Sequence, residues 1–144
     1  MTIRPLTEIP EFEQCVRLQR EIWGMADIDL IPSRSYAIQH HIGGLVLGAF
    51  DSDRLVGFVN ATPGIRNGAP YWHSLTLAVA QDYWKQGIGS KLKLAQREHA
   101  KERGIGLIQW TFDPLQSKNA DSLRVGKLLK RWRARRDSNT GPSA

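Results

Sequence analysis

The chain has 144 residues, 41% hydrophobic and 24% charged, which is a globular composition with length for one domain. One cysteine, Cys15, excludes an intrachain disulfide framework, and no apolar run approaches the roughly 20 residues that cross a bilayer. The formal charge of +6 does not mark the body as a polyanion binder, because residues 1–123 hold 13 basic and 13 acidic residues while residues 124–144 hold seven and one.

The expected layout is therefore one domain over residues 1–123 and a basic, poorly ordered tail over 124–144. No secretory pattern follows Met1, and Cys15 reads as a small core residue. A cytoplasmic location is the expectation.

In chain order, residues 2–6 read as a short strand, with Pro5 favouring an edge. Thr7 is a candidate N-cap for a helix carrying Phe12, Cys15, Val16, Ile22 and Trp23 on one face and ending at Gly24. Residues 25–31 form a connector. Asp27 and Asp29 in it have no third ligand at useful spacing, so no metal is expected. Pro32-Ser33 opens a second helix that runs to about His41 and is stopped by Gly43-Gly44. Its adjacent His40 and His41 point to different sides and do not share a metal. Residues 45–50 and 55–62 flank Asp51-Ser52-Asp53 as a hairpin. Residues 63–70, with two prolines and two glycines, read as a loop.

The most informative stretch follows. Leu75, Leu77 and Val79 alternate as in a strand. A short polar turn leads to Gly87-Ile88-Gly89. From Ile88 the period becomes helical, with Ile88, Leu92 and Ala95 on one face and Gly104 as the stop. The first N–H groups of a helix lack intrahelical partners and sit at the positive end of its dipole. Glycines let an anion approach them, so strand, Gly-x-Gly and helix together can form a phosphate site. A plain glycine turn is the competing reading. The strand over 105–112, apolar on both sides, suits a central or parallel position. Beyond Leu123, Val125, Leu128, Leu129 and Trp132 suggest one short basic helix, and nothing after Arg133 can pack a core.

The pattern Leu77-x-Val79, a seven-residue gap, Gly87-Ile88-Gly89 and a helix with Leu92 inward resembles motif A of the GNAT superfamily of acyl-CoA-dependent N-acyltransferases. Gly87 and Gly89 match its Gln/Arg-x-x-Gly-x-Gly/Ala turn, and Trp84 stands where the family has Gln or Arg. The element order β-α-α-β-β-β-α-β is also the family's. The implied fold is α/β, a GNAT-like mixed sheet flanked by helices, without the usual C-terminal strands. Measured against the family, the sequence reads as truncated or frame-altered after about residue 120. Trp110-Thr111-Phe112-Asp113-Pro114-Leu115 with Asn119-Ala120 resembles one uncharacterised branch.

The resemblance implies acetyl-CoA as co-substrate, held by Leu77, Val79, Trp84, Lys85, Gln86, Gly87, Gly89, Ser90 and Asn119, although Asn119 also reads as a helix N-cap. It implies transfer of acetyl to an amine, on a small molecule or a peptide, with no metal, specific nucleic acid or membrane. A backbone N–H at a bulge near Leu77–Val79 would polarise the thioester. His73 or Asp113 would take the amine proton. The tyrosine that often protonates the family's thiolate has no match after Asn119, which leaves Ser122 or water. Tyr36, Gln39, His40 and His41 are candidate acceptor contacts or ordinary helix residues. Trp72 and Trp110 line the cleft or belong to the core. Two rival functions stay open: a CoA-binding fold without turnover, and polyanion binding through the tail.

Overall fold

A computed structural model describes residues 1–24, 30–112 and 128–133 of the chain. The elements are β1 (Thr2–Pro5), α1 (Ile9–Trp23), α2 (Ser33–His41), β2 (Leu45–Asp51), β3 (Arg54–Arg66), β4 (Ala69–Val79), α3 (Ile88–Glu102), β5 (Leu107–Phe112) and β6 (Leu128–Arg133). They form one mixed sheet in the order β1-β2-β3-β4-β5-β6. All neighbours are antiparallel except β4 and β5, which run parallel.

The helices lie on opposite faces, and β3 shows which is where. Phe58 packs edge-on against Tyr36 of α2, with ring centroids 5.6 Å apart, and Tyr36 stacks near Phe12 of α1. One residue earlier, Gly57 faces α3: a Cβ there would lie 3.3 Å from both Ile88 and Leu92. Successive strand residues point to opposite faces, so α1 and α2 cover one side and α3 the other. Cys15 is buried in the first layer with Leu6, Phe12 and Leu18.

Three local expectations change. The cap of α1 forms at Glu8, not Thr7, because the Glu11 carboxylate accepts the backbone N–H groups of both Thr7 and Glu8 at 3.0 and 3.2 Å. Residues 63–70 are not a loop. Asn67 and Gly68 have φ of 52° and 78°, a two-residue turn with both central residues left-handed, so β3 and β4 pair up to Arg66 and Ala69. Pro63 and Gly64 sit inside that ladder opposite Trp72 and Tyr71. Finally, residues 128–133 are not helical but pair antiparallel with β5, from Phe112↔Leu128 to Leu107↔Arg133. The free edge of β5 offers a hydrogen-bond ladder that local helical periodicity cannot foresee.

Candidate functional site

Two adjacent strands that run parallel need not stay together, and β4 and β5 do not. They pair only at Trp72↔Ile108, His73↔Gln109 and Ser74↔Trp110. Beyond Ser74, β4 continues to Val79 with no partner on its β5 side among the described residues. A bulge marks the divergence. Asn60 of β3 pairs with Thr76 while Ala61 pairs with Ser74, so Leu75 is the extra residue. The bulge therefore falls at Leu75, ahead of the expected Leu77–Val79. It is held by a buried side chain: Asn60 Oδ1 accepts the Thr76 N–H at 3.1 Å, and Asn60 Nδ2 donates to Gln39 Oε1 at 2.8 Å. Leu75 and Leu77 are 49% and 39% exposed, an open apolar edge in the middle of the chain's own sheet.

The outer end of this edge leads into the glycine turn. A single 3-10 turn, Gln81–Tyr83, follows β4. It is tied to the β2–β3 hairpin by Arg54, which reaches both Asp82 oxygens at 2.9 and 3.3 Å, and by the Tyr83 hydroxyl on Asp51. The Trp84 indole N–H donates to the Val79 carbonyl at 2.8 Å, bracing the turn against the strand end. Lys85 and Gly87 both have positive φ, 70° and 76°. Gly87 caps α3, and the first intrahelical bond is Lys91 N–H to Gly87 O at 3.0 Å. The N–H groups of Ile88, Gly89 and Ser90 thus have no helical partner. No acidic side chain occupies this first turn.

The glycines differ in what requires them. At Gly87 a Cβ would meet nothing within 4 Å, so only the left-handed backbone asks for glycine. At Gly89 the backbone is helical, and a Cβ would rest at ordinary contact distances of 3.6 and 3.9 Å from Leu77 and Val79. Packing does not demand glycine there. With no side chain at 89 and no acidic residue in the first turn, the unpartnered amides are open to an anion, so the residues present fit a diphosphate such as that of coenzyme A.

At the inner end, where β4 and β5 meet, polar groups gather on both faces. His73 faces the α1/α2 side with Gln109, whose Nε2 lies 3.4 Å from His73 Nδ1. Burial, and then the charge of Lys93, hold the imidazole below its ordinary pKa. Ser74 faces α3. Its Oγ accepts Lys93 Nζ at 3.0 Å and Gln96 Nε2 at 3.2 Å. Lys93 Nζ also lies 4.4 Å from the centroid of the Trp110 ring. Burial lowers the Lys93 pKa to about 8.

The structure sorts the expected site residues. Leu77, Val79, Trp84, Lys85, Gln86, Gly87, Gly89 and Ser90 come together around the open edge of β4 and the start of α3. His73 stands at the apex, one residue from the last β4–β5 pair. Tyr36 is fully buried, its hydroxyl accepting Gln19 Nε2 at 2.8 Å, and so is no acceptor contact. Gln39 is committed to Asn60, while His40 and His41 are exposed. Trp72 belongs to the core, its indole N–H donating to Gly43 O at 2.9 Å. Asp113, Asn119, Ser122, Asp27 and Asp29 lie outside the described residues. Among the described residues no helix is long and apolar enough to cross a membrane, and no three His, Cys, Asp or Glu side chains are placed to hold a metal ion.

Sequence reasoning missed Lys93, Ser74 and Gln96. Lys93, Gln96 and Ala100 follow Gly89 at helical spacing, the signal that places them on one face of α3.

Residues 9–126 match the Acetyltransferase (GNAT) family. No curated protein matches the chain by sequence. Among solved structures, it is similar to an aminoglycoside acetyltransferase from an uncultured soil metagenomic sample in complex with sisomicin, at 23% identity and TM-score 0.72, covering 85% of this chain and 84% of that one. It is similar to the PaiA N-acetyltransferase of Thermoplasma acidophilum in complex with coenzyme A, at 18% identity and TM-score 0.67, covering 92% and 99%. It is also similar to a transcriptional regulator from Bacillus halodurans C-125, at 28% identity and TM-score 0.64, covering 85% and 87%.

Proposed function

Because this chain belongs to the Acetyltransferase (GNAT) family, we propose that it transfers acetyl from acetyl-CoA to an amine by direct attack, in the cytoplasm. The observation that supports this most is the continuous path from an acid-free helix start to the unpaired edge of β4 and its bulge. The co-substrate supplies an acyl group already activated as a thioester.

The chain's residues divide the work by position. Backbone N–H groups from Lys85 to Ser90 hold the diphosphate, with Gly87 and Gly89 allowing its approach. Trp84 does not supply a charge at the motif position but keeps the turn in place through Val79. With Thr76 N–H held by Asn60, the β4 N–H groups on the open β5 side near Leu75 are placed to point at developing charge on the acyl oxygen. His73, held toward its neutral form, accepts the amine proton directly or through water. Asp113 is the alternative base, and Asn119 a further CoA contact. The acceptor is an amine on a small molecule or peptide. Aminoglycosides are suitable first acceptors, since the similar solved structures include several of aminoglycoside acetyltransferases.

A thermal-shift titration with acetyl-CoA, followed by thiol detection of released CoA over a panel of amines including sisomicin, tests this reading. Saturable stabilisation and amine-dependent CoA release are expected. Stabilisation without release from any amine favours the second reading, a CoA-binding fold without turnover, which Trp84 at the motif position motivates. Salt-sensitive nucleic-acid binding lost on removing residues 124–144, with no response to acetyl-CoA, would replace both.

A further inference from the structure

We propose that the Lys93 ammonium meets the sulfur of the acyl donor at the apex of the β4–β5 cleft and protonates the departing thiolate. This rests on the acyltransferase reading above. On this proposal the sulfur lies at the closed end of the cleft. The open edge of β4 from Val79 to Leu75 spans about 13 Å at the ordinary strand rise. An arm that starts at the helix amides and lies along this edge ends where β4 and β5 close, at Ser74↔Trp110. Lys93 Nζ sits on those two residues, 3.0 Å from Ser74 Oγ and 4.4 Å from the Trp110 ring centroid. It lies on the same face of β4 as Leu77 and Val79, which flank Gly89.

Its electrostatic surroundings point the same way. Among the described residues no carboxylate pairs with Lys93. Among the described residues, the charged or titratable groups that neighbour it include His73 across β4 and the buried Arg97 one turn along α3, neither of them acidic. Among the described residues this half-buried ammonium is held by a hydroxyl and an aromatic face, with no carboxylate paired to it, a setting that favours an anion beside it. The three tyrosines of the chain are elsewhere: Tyr36 is in the core, Tyr71 is opposite Gly64, and Tyr83 is on Asp51. As the acceptor nitrogen bonds to the acyl carbon, the C–S bond breaks and its electron pair leaves with sulfur. Lys93 Nζ–H passes its proton to that sulfur and becomes neutral. The proton lost by the acceptor amine goes to His73 and then to solvent, from which Lys93 is recharged. A Lys93 pKa of about 8 lets it give up and regain the proton near neutral pH.

Coenzyme A itself is the probe, so no acceptor is needed. The ultraviolet absorbance of the bound thiolate is titrated against pH in the parent, Lys93→Met, Lys93→Gln and Lys93→Arg, with calorimetric binding and thermal melts alongside. The protein's own thiol, Cys15, is buried with a raised pKa and stays silent. The bound thiol should carry about tenfold more thiolate at neutral pH than free coenzyme A, equal to a shift of one pKa unit. Lys93→Arg should retain that excess, and both neutral variants should lose it while still binding. A folded neutral variant that binds coenzyme A with an unchanged thiol titration overturns the proposal. If the parent does not bind coenzyme A, the proposal falls together with the reading it rests on, a different result in the same calorimeter.

Discussion

Replacing Gly89 by valine separates the fold from the site. The backbone at 89 is helical, and a Cβ there makes ordinary contacts at 3.6 and 3.9 Å with Leu77 and Val79. Glycine costs a helix about 1 kcal/mol relative to alanine, and valine costs less, so propensity does not oppose the change. The melting temperature should therefore stay within a few degrees of the parent. Binding should not survive. The valine methyls fill the mouth of the cleft over the first-turn amides. Losing two hydrogen bonds to a charged diphosphate removes about 3–6 kcal/mol at 1.5–3 kcal/mol each. That corresponds to roughly two to four orders of magnitude in Kd. Isothermal calorimetry with coenzyme A measures it, with a thermal melt of the unliganded variant as control. A variant that melts like the parent and binds coenzyme A within threefold of it would show that the diphosphate does not sit on these amides.

Other consequences are directly measurable. Asn60→Leu strips the Thr76 N–H and Gln39 Oε1 of their buried partner, so urea unfolding should show a loss of about 2–4 kcal/mol, with coenzyme A turnover falling as the Leu75 bulge loosens. Lys93 titrates near 8 folded and 10.5 unfolded, so between those values the unfolded chain binds more protons and stability rises with pH, by up to about 3 kcal/mol. Cys15 and Tyr36, both raised, push the other way at high pH, so the quantity to measure is the parent minus Lys93→Met, and a flat difference would contradict the burial of this amine. Removing residues 128–144 takes β6 from its six-residue register on β5, and light scattering should show association through the exposed edge; an unchanged monomer with an unchanged melt would mean that β6 does not protect it.

The fold was legible where local pattern and tertiary role agree. The alternation of Leu75, Leu77 and Val79 and the switch of period at Ile88 marked the β4–α3 unit, because an open strand edge and a helix start are written in adjacent residues. Asn67-Gly68 is a local hairpin-turn signal, but Pro63, Gly64 and Pro70 around it make residues 63–70 read as a loop. Within the β3–β4 ladder Gly64 leaves room for the Tyr71 ring, where a Cβ would come within 2.7 Å. The strand at 128–133 was not legible, since its own local pattern carries no sign that it pairs with the edge of β5. Lys93 and Ser74 escaped for the same reason: their meeting depends on α3 crossing β4 at one angle, which no spacing along either element records.

His73 and Lys93 stand on opposite faces of the same strand closure, and their charges are coupled. The positive charge of Lys93 is one of the two causes that lower the His73 pKa. When Lys93 gives its proton to a departing thiolate, that cause disappears and His73 becomes a stronger base at the moment when the acceptor amine has a proton to lose. The two transfers then offset each other, and the half-buried apex passes through the reaction without gaining net charge, which a low-dielectric site would oppose. Lys93→Met should accordingly raise the His73 pKa, read from the imidazole resonances in an NMR titration, while Lys93→Arg leaves it at the parent value. The sign follows from removing a like charge: a His73 freed from Lys93 is easier to protonate. If His73 titrates identically in the parent and in a folded Lys93→Met variant, the two residues are not coupled and each must be assigned its proton independently.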